Sequence, residues 1–273
     1  MICYRHPGRE AYVRCQRCER VICPDCQIEA SVGFLCPECA GGTPNQVYAR
    51  ARRARAVAAG TVRPVVSVSL IAINVVVWLL QVLPGSNLTF ELFFAPIAIY
   101  AEPWRAITSG FAHSQSNFLH LGLNMYSLYV FGQVLEPLLG RARFLAMYLL
   151  SILGGSVAVV WLSELNVPVL GASGAIFGLM GAYFVIMRKL GERGGQLVGL
   201  IAINLAFGFF VSTISWQAHV GGLLVGALVG LLYASTRRLN QKTQQMLGLI
   251  GITVLLVVFA YAGFFTRVTA ALG

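Results

Sequence analysis

Seven runs of 17 to 21 mostly apolar residues fill the chain from Val65 onward, at 65–83, 117–137, 144–163, 169–187, 197–213, 217–235 and 247–265. A helix that crosses the hydrocarbon core of a bilayer needs roughly 20 such residues. The chain is therefore expected to be an all-α polytopic membrane protein. Composition supports this: 57% of the 273 residues are hydrophobic and 11% are charged, against about 25% charged in soluble domains. The N-terminus is polar and lacks the apolar core of a signal peptide. All seven cysteines lie within the first 39 residues. The expected organisation is a cysteine-rich head over 1–42, a basic linker over 43–64, a membrane core over 65–236 and a further span within 237–273.

Charge fixes an expected orientation. With the N-terminus cytoplasmic, 18 of the 20 Lys and Arg residues fall inside and only Arg105 and Arg267 fall outside. Short loops rich in Lys and Arg stay cytoplasmic, so a cell-membrane protein with its N-terminus in the cytoplasm and its C-terminus outside is expected. The net charge of +10 is thereby a topology signal and not a nucleic-acid footprint. The linker segment VYARARRARAVAAGTVRP (47–64) reads either as a basic helix lying on anionic lipid or as a flexible tether. The first outer loop, 84–116, is long and aromatic, which predicts a folded loop at the interface.

In the head, Cys3 and His6, Cys15 and Cys18, Cys23 and Cys26, and Cys36 and Cys39 form four pairs with two residues between partners. That spacing lets a pair bite one tetrahedral zinc ion, and two pairs close a structural site. Eight ligands predict two structural Zn²⁺. A disulfide framework is disfavoured by the odd cysteine count and by the reducing compartment. Sequential and interleaved pairings both satisfy the spacing. The opening C-x2-H and the following CQRCERVICPDC resemble a B-box-type zinc finger. That resemblance implies interleaving, with Cys3, His6, Cys23 and Cys26 on one ion and Cys15, Cys18, Cys36 and Cys39 on the other. A head of this size makes little apolar core, so metal is expected to supply most of its folding free energy. A cytoplasmic partner for the head is an open expectation.

Polar residues inside the spans mark a site, since ionisable groups at membrane depth are costly and line cavities. His120 and Asn124 lie in the second span, Ser173 in the fourth and His219 in the sixth. With the N-terminus inside, these three spans all run inward, and His120, Ser173 and His219 fall near their starts. They share one shallow layer below the outer face. A serine becomes a nucleophile when a base takes its proton, and His219 suits that role. No aspartate follows Asp25, and the glutamates fall at the wrong depths, which leaves a Ser–His dyad. His120 and Asn124, four residues apart, face one side of their helix and with the Ser173 backbone N–H could form an oxyanion hole. Gly171, Gly174, Gly178 and Gly181 of the fourth span and Gly222, Gly226 and Gly230 of the sixth allow close helix approach.

Together, G171-A-S-G174, H120-x3-N124, A218-H219-x2-G222-x3-G226 and the loop pair Trp104-Arg105 resemble the rhomboid intramembrane serine proteases over about residues 65–236. The resemblance implies a six-helix core around a water-filled cavity open to the outside, with 247–265 as an added seventh span. It also implies a single-span transmembrane protein as substrate, cut near the outer face, and no catalytic cofactor. Many members carry tyrosine four residues after the serine. Here it is Phe177, which keeps a ring against His219 and lacks the hydroxyl. A catalytically silent rhomboid-like adaptor is the alternative reading, disfavoured by the presence of both dyad residues. A channel is disfavoured by the one-sided polar layer. Besides its substrate, the expected partners are membrane lipids.

Overall fold

The computed structural model describes residues 1–29, 33–40, 63–189, 194–210, 214–236 and 241–272. These fall into two compact units, one carrying the cysteine-rich head and the other the helices from Val65 onward. The basic segment 47–62 lies outside the described residues, as do 211–213 at the end of the fifth run.

The head consists of three short antiparallel pairs. Strand β1 (Ile2–Cys3) pairs with β2 (His6–Glu10), β3 (Val13–Arg14) with β4 (Val21–Ile22), and β5 (Ile28–Glu29) with β6 (Phe34–Leu35). An isolated hairpin is marginal in water, and the buried core here is almost entirely cysteine, with Ala11 and Ile22 the other fully buried members. The cysteines therefore occupy the positions that apolar side chains would fill in a larger domain.

Seven long helices make the second unit: α1 (Val65–Gln81), then after two short loop helices, α2 (Leu88–Leu92) and α3 (Arg105–Thr108), come α4 (Phe118–Leu139), α5 (Arg141–Leu162), α6 (Ser173–Lys189), α7 (Gly195–Phe210), α8 (Trp216–Ser235) and α9 (Lys242–Leu272). Each expected span has its helix. Arg141–Leu162, Trp216–Ser235 and Lys242–Ala271 are long and apolar enough to cross a membrane by length and composition alone. The others fall short for identifiable reasons: α1, α6 and α7 have 17, 17 and 16 residues, and α4 is diluted by Asn124, Gln133 and Glu136.

Two boundaries differ from the sequence reading. The run from 169 does not start a helix, because Val169 forms an antiparallel bridge with Phe94 and Gly171 has φ +123°; the helix begins at Ser173. The last helix has 31 residues, about 46 Å at 1.5 Å per residue, and outruns the expected 247–265.

Helix α6 is the centre of the bundle. Gly174 through Ala182 are buried without a break, as expected of a helix enclosed on all sides. It packs mainly on α8 and α5, and glycines set the distance. A Cβ on Gly222 would run into the carbonyl group of Gly174, and one on Gly226 into the backbone of Gly178. At the far end of α4, the Glu136 carboxylate is 2% exposed. It accepts hydrogen bonds from the N–H groups of Val66 (2.9 Å) and Ser67 (2.8 Å) and from Ser67 Oγ (2.8 Å). An anion at a helix N-terminus satisfies donors that have no intrahelical partner, so this residue ties α1 to α4.

The long first loop is folded. Arg105 is buried, pairs with Glu102, donates to the carbonyls of Phe90 and Phe93, and lies over the Phe93 ring. A second apolar core, separate from that of the bundle, holds Phe94, Ile99 and Ala106 of the loop against Val157, Val159 and Val160 of α5 and Ala260 of α9.

Candidate active site

Ser173 is the first residue of α6, at the end of a stretch built for close approach. Gly171 adopts φ +123°, and a Cβ there would sit 2.9 Å from both Cε1 and Nε2 of His120. Only glycine meets both the backbone and the space requirement. The Gly171 N–H donates to the Ser109 carbonyl at 2.9 Å, which anchors the approach to the serine on the first loop.

His219 is the fourth residue of α8, whose first turn is capped by Ser215 Oγ accepting from the Ala218 N–H at 3.3 Å. Its Nε2 lies 2.9 Å from Ser173 Oγ. The ring is 6% exposed and stacks on Phe177, one turn after Ser173, with centroids 4.2 Å apart and planes inclined by 16°. Among the described residues Nδ1 has no hydrogen-bond partner. The imidazole is thus oriented by stacking and by its short contact to Ser173, without a carboxylate behind it.

His120, third in α4, also faces this region. Its Nδ1 lies 3.4 Å from the backbone N–H of Ser114 and can act there only as an acceptor. A neutral ring bonded this way carries its hydrogen on Nε2, the edge nearest Gly171. Asn124 is 6% exposed and donates one amide hydrogen to the His120 carbonyl at 2.7 Å. One further N–H of its amide remains to be used. Gly174, Gly222 and Gly226 lie at the α6–α8 contact described above. The structure thus brings Ser173, His219, Phe177, Gly171 and His120 together, whereas Asn124 is bonded only within its own helix, to His120.

Two residues escaped the sequence reading. His113 lies in the loop before α4, outside every apolar run, yet it is fully buried and its ring centroid is 5.2 Å from that of His120. Its backbone N–H and C=O are both held by the Gln81 side chain, each at 3.0 Å. Its place seven residues before the histidine of HLGLN (120–124) was the available signal. Sequence alone places Glu136 among the glutamates at the wrong depth for the site, whereas in the structure it caps α1.

In the head, the ligand atoms of Cys3, His6, Cys23 and Cys26 lie within 4.8 Å of one another, and so do those of Cys15, Cys18, Cys36 and Cys39. This is the interleaved grouping. All seven thiols are unpaired. Burial acts against a thiolate at Cys3, but the backbone N–H groups of Cys23, Arg5 and His6 outweigh it and draw the thiol down to about 6. Cys15 behaves alike, with burial opposed by the N–H groups of Cys36, Arg17 and Cys18, also reaching about 6. In each set another thiol is pushed the other way, Cys26 and Cys39 to about 12 by burial and by neighbouring thiols, so it is the gathering of four ligand atoms that would let each set hold a metal ion.

Residues 100–236 match the Rhomboid domain. YdcA of Bacillus subtilis (strain 168), whose name places it provisionally among rhomboid proteases, is 34% identical over 174 residues, which covers 60% of this chain and 85% of YdcA. Rhomboid protease GluP of the same organism is 33% identical over 175 residues, 60% of this chain and 34% of GluP. The mitochondrial Rhomboid protein 1 of Saccharomyces cerevisiae is 31% identical over 179 residues, 59% of this chain and 51% of the yeast protein. The chain thus spans most of YdcA, about a third of GluP and half of the yeast relative. The domain match leaves the cysteine-rich head, α1 and α2 before it and α9 after it. Matched to this domain over half of its length and to a third of identical residues across most of YdcA, the chain belongs to the rhomboid family of multi-pass membrane proteins.

Proposed function

We propose that the protein is an intramembrane serine protease that cleaves single-span transmembrane substrates near the outer membrane face. The observation that carries this reading is the 2.9 Å separation of His219 Nε2 and Ser173 Oγ. With its hydrogen on Nδ1, His219 takes the serine proton at Nε2 while Oγ attacks the scissile carbonyl carbon. The developing oxyanion is met by His120 Nε2–H, the Ser173 N–H at the start of α6 and the remaining Asn124 amide hydrogen. His219 then returns the proton to the leaving amine. Water reaching the site from outside, deprotonated by His219, releases the acyl group and restores Ser173. Donors fixed in a low-dielectric site stabilise such charge strongly. Phe177 keeps the stacking surface for His219 without a hydroxyl.

In the same reading, residues 65–236 form the six-helix core, with a seventh helix in 237–273 and a basic linker in 43–64. The N-terminus is cytoplasmic and the C-terminus lies outside. The head over 1–42 is a B-box-like domain in which each four-ligand set holds one Zn²⁺. Three thiolates with an imidazole, or four thiolates, form the tetrahedral closed sites that zinc takes. The metal would stabilise the head and take no part in peptide hydrolysis.

The deciding experiment pairs a fluorophosphonate probe with a single-span model substrate. The wild-type chain should be labelled and should cleave, whereas Ser173→Ala and His219→Ala should lose cleavage while remaining folded. Undiminished cleavage by Ser173→Ala would remove Ser173 as the nucleophile.

A further inference from the structure

Helix α9 lies beyond the part of the chain matched by the family domain, and most of its surface is exposed. Its apolar residues Leu249, Ile252 and Leu256 pack against the bundle core, and its hydrogen bonds with α5 fall on either side of them. Near the start of both helices, Arg143 Nε donates to Gln245 Oε1 at 2.7 Å. Near the finish of α5, Trp161 Nε1 donates to the carbonyl of Phe259, just past the middle of α9, at 3.0 Å. There too the Arg267 guanidinium donates to the carbonyls of Val160 (2.9 Å) and Ser163, groups that the end of α5 leaves without helical partners. The two helices therefore run parallel, side by side.

At this second end α9 meets the first loop. Ala260 is 3% exposed in the core shared by Phe94, Ile99, Ala106, Val157, Val159 and Val160. The Tyr100 ring lies parallel to Phe264, with centroids 5.9 Å apart and planes inclined by 9°, and Phe265 approaches it edge-on. From the loop the path to the serine is short. Phe94 and Val169 exchange two backbone hydrogen bonds of 3.0 and 2.7 Å, and Gly171 hangs on Ser109. Two of the four residues before Ser173 are thus fixed by the loop, and one wall of the loop's own core is α9.

We propose that the C-terminal half of α9 is a brace for the active site, with Ala260, Phe264 and Arg267 as positioning residues. They act through Phe94 and Val169 on Gly171 and Ser173. The inference rests on the reading of Ser173 as the nucleophile. In a bilayer, lipid tails would cover the loop's apolar side as readily as α9 does, so helix contacts there depend on packing and hydrogen bonding and not on hydrophobic burial. A brace of this kind sharpens geometry more than it stabilises the fold.

The test uses the full chain in detergent or lipid and reads kcat and KM on a single-span substrate, the fluorophosphonate labelling rate and the unfolding temperature. Phe264→Ala, Tyr100→Ala and Ala260→Phe should each lower kcat and labelling by about 10- to 100-fold, the scale of a small misplacement remote from the chemistry, with KM unchanged. Tyr100→Phe, which keeps the stacked ring, should retain wild-type rates. Gln245→Ala, at the other end of the same helix, should lower the unfolding temperature and leave kcat and labelling alone. If Ala260→Phe fails to fold, the Phe264 and Tyr100 variants decide. Wild-type labelling in both would overturn the brace, as would an equal slowing by Gln245→Ala, which would mean general loosening. Ser173→Ala separates the two levels: labelling that persists without Ser173 sinks the nucleophile assignment, whereas labelling that needs Ser173 and ignores α9 sinks the brace alone.

Discussion

Gly222→Ala adds one methyl group where α8 crosses α6. The new Cβ would stand 2.7 Å from the carbonyl carbon of Gly174, and closer still to its oxygen. Because the atoms it meets are backbone, no rotamer change relieves the contact. Reaching an ordinary separation of 3.4 Å from that carbon requires the helices to part by at least about 0.7 Å, the kind of overpacking that costs roughly 1–3 kcal/mol. Gly174 follows Ser173 directly, and Gly222 lies one turn after His219 on the same side of α8. The displacement is therefore passed to the pair, lengthening the 2.9 Å contact to about 3.6 Å, past hydrogen-bond range. A loss in kcat of about 100-fold follows from such a misplacement. The assay compares turnover of a single-span substrate and unfolding temperature with those of Gly199→Ala, a control in helix α7 where a Cβ meets nothing within 4 Å. Wild-type kcat in a folded Gly222→Ala protein would refute the argument that this crossing sets the Ser173–His219 distance.

Three further outcomes are expected. Glu136→Ala strands three donors at the start of α1; at about 1–3 kcal/mol for each buried unsatisfied group it should destabilise severely, with Glu136→Gln milder because one acceptor oxygen remains. Metal analysis of the purified chain should find two zinc ions, and the double variant Cys3→Ser with Cys23→Ser should keep one, since both residues serve the same interleaved set; loss of both ions would indicate sequential pairing. A reporter fused after Gly273 should be active only in its exported form, and cytoplasmic activity there would overturn the assigned topology.

Much of this architecture was legible because membrane spans and paired ligands are local signals. The seven runs gave seven helices, and the x2 spacing of Cys3/His6 through Cys36/Cys39 anticipated two clusters. The starts of α4 and α8 were legible within a residue, and the alternation of spans already grouped His120, Ser173 and His219 as residues near the starts of like-directed helices. What stayed hidden depends on partners distant in sequence. Val169 looks like the start of a span, yet its backbone is claimed by Phe94. Glu136 looks like an interruption, yet its partners are Val66 and Ser67, about seventy positions earlier. His113 drew no attention because burial of a loop residue is decided by Gln81 and by the fold of the segment before it.

Among the described residues no carboxylate backs His219, which follows the same physical logic. A buried carboxylate must be compensated by several donors or its desolvation outweighs the attraction it provides, and in this chain Glu136 has its three donors only because it sits at a helix N-terminus. The start of α8 is capped by Ser215, and the α6 terminus belongs to the serine's own N–H. Orientation therefore passes to the Phe177 stack, a contact that needs no compensating charge and that comes from the same helix as Ser173. Ser173 and the Phe177 ring that orients His219 are joined by one turn of α6, so the Ser173–His219 geometry depends on how α8 lies against that turn. That makes the α6–α8 crossing at Gly174 and Gly222 the most sensitive contact in the proposed site.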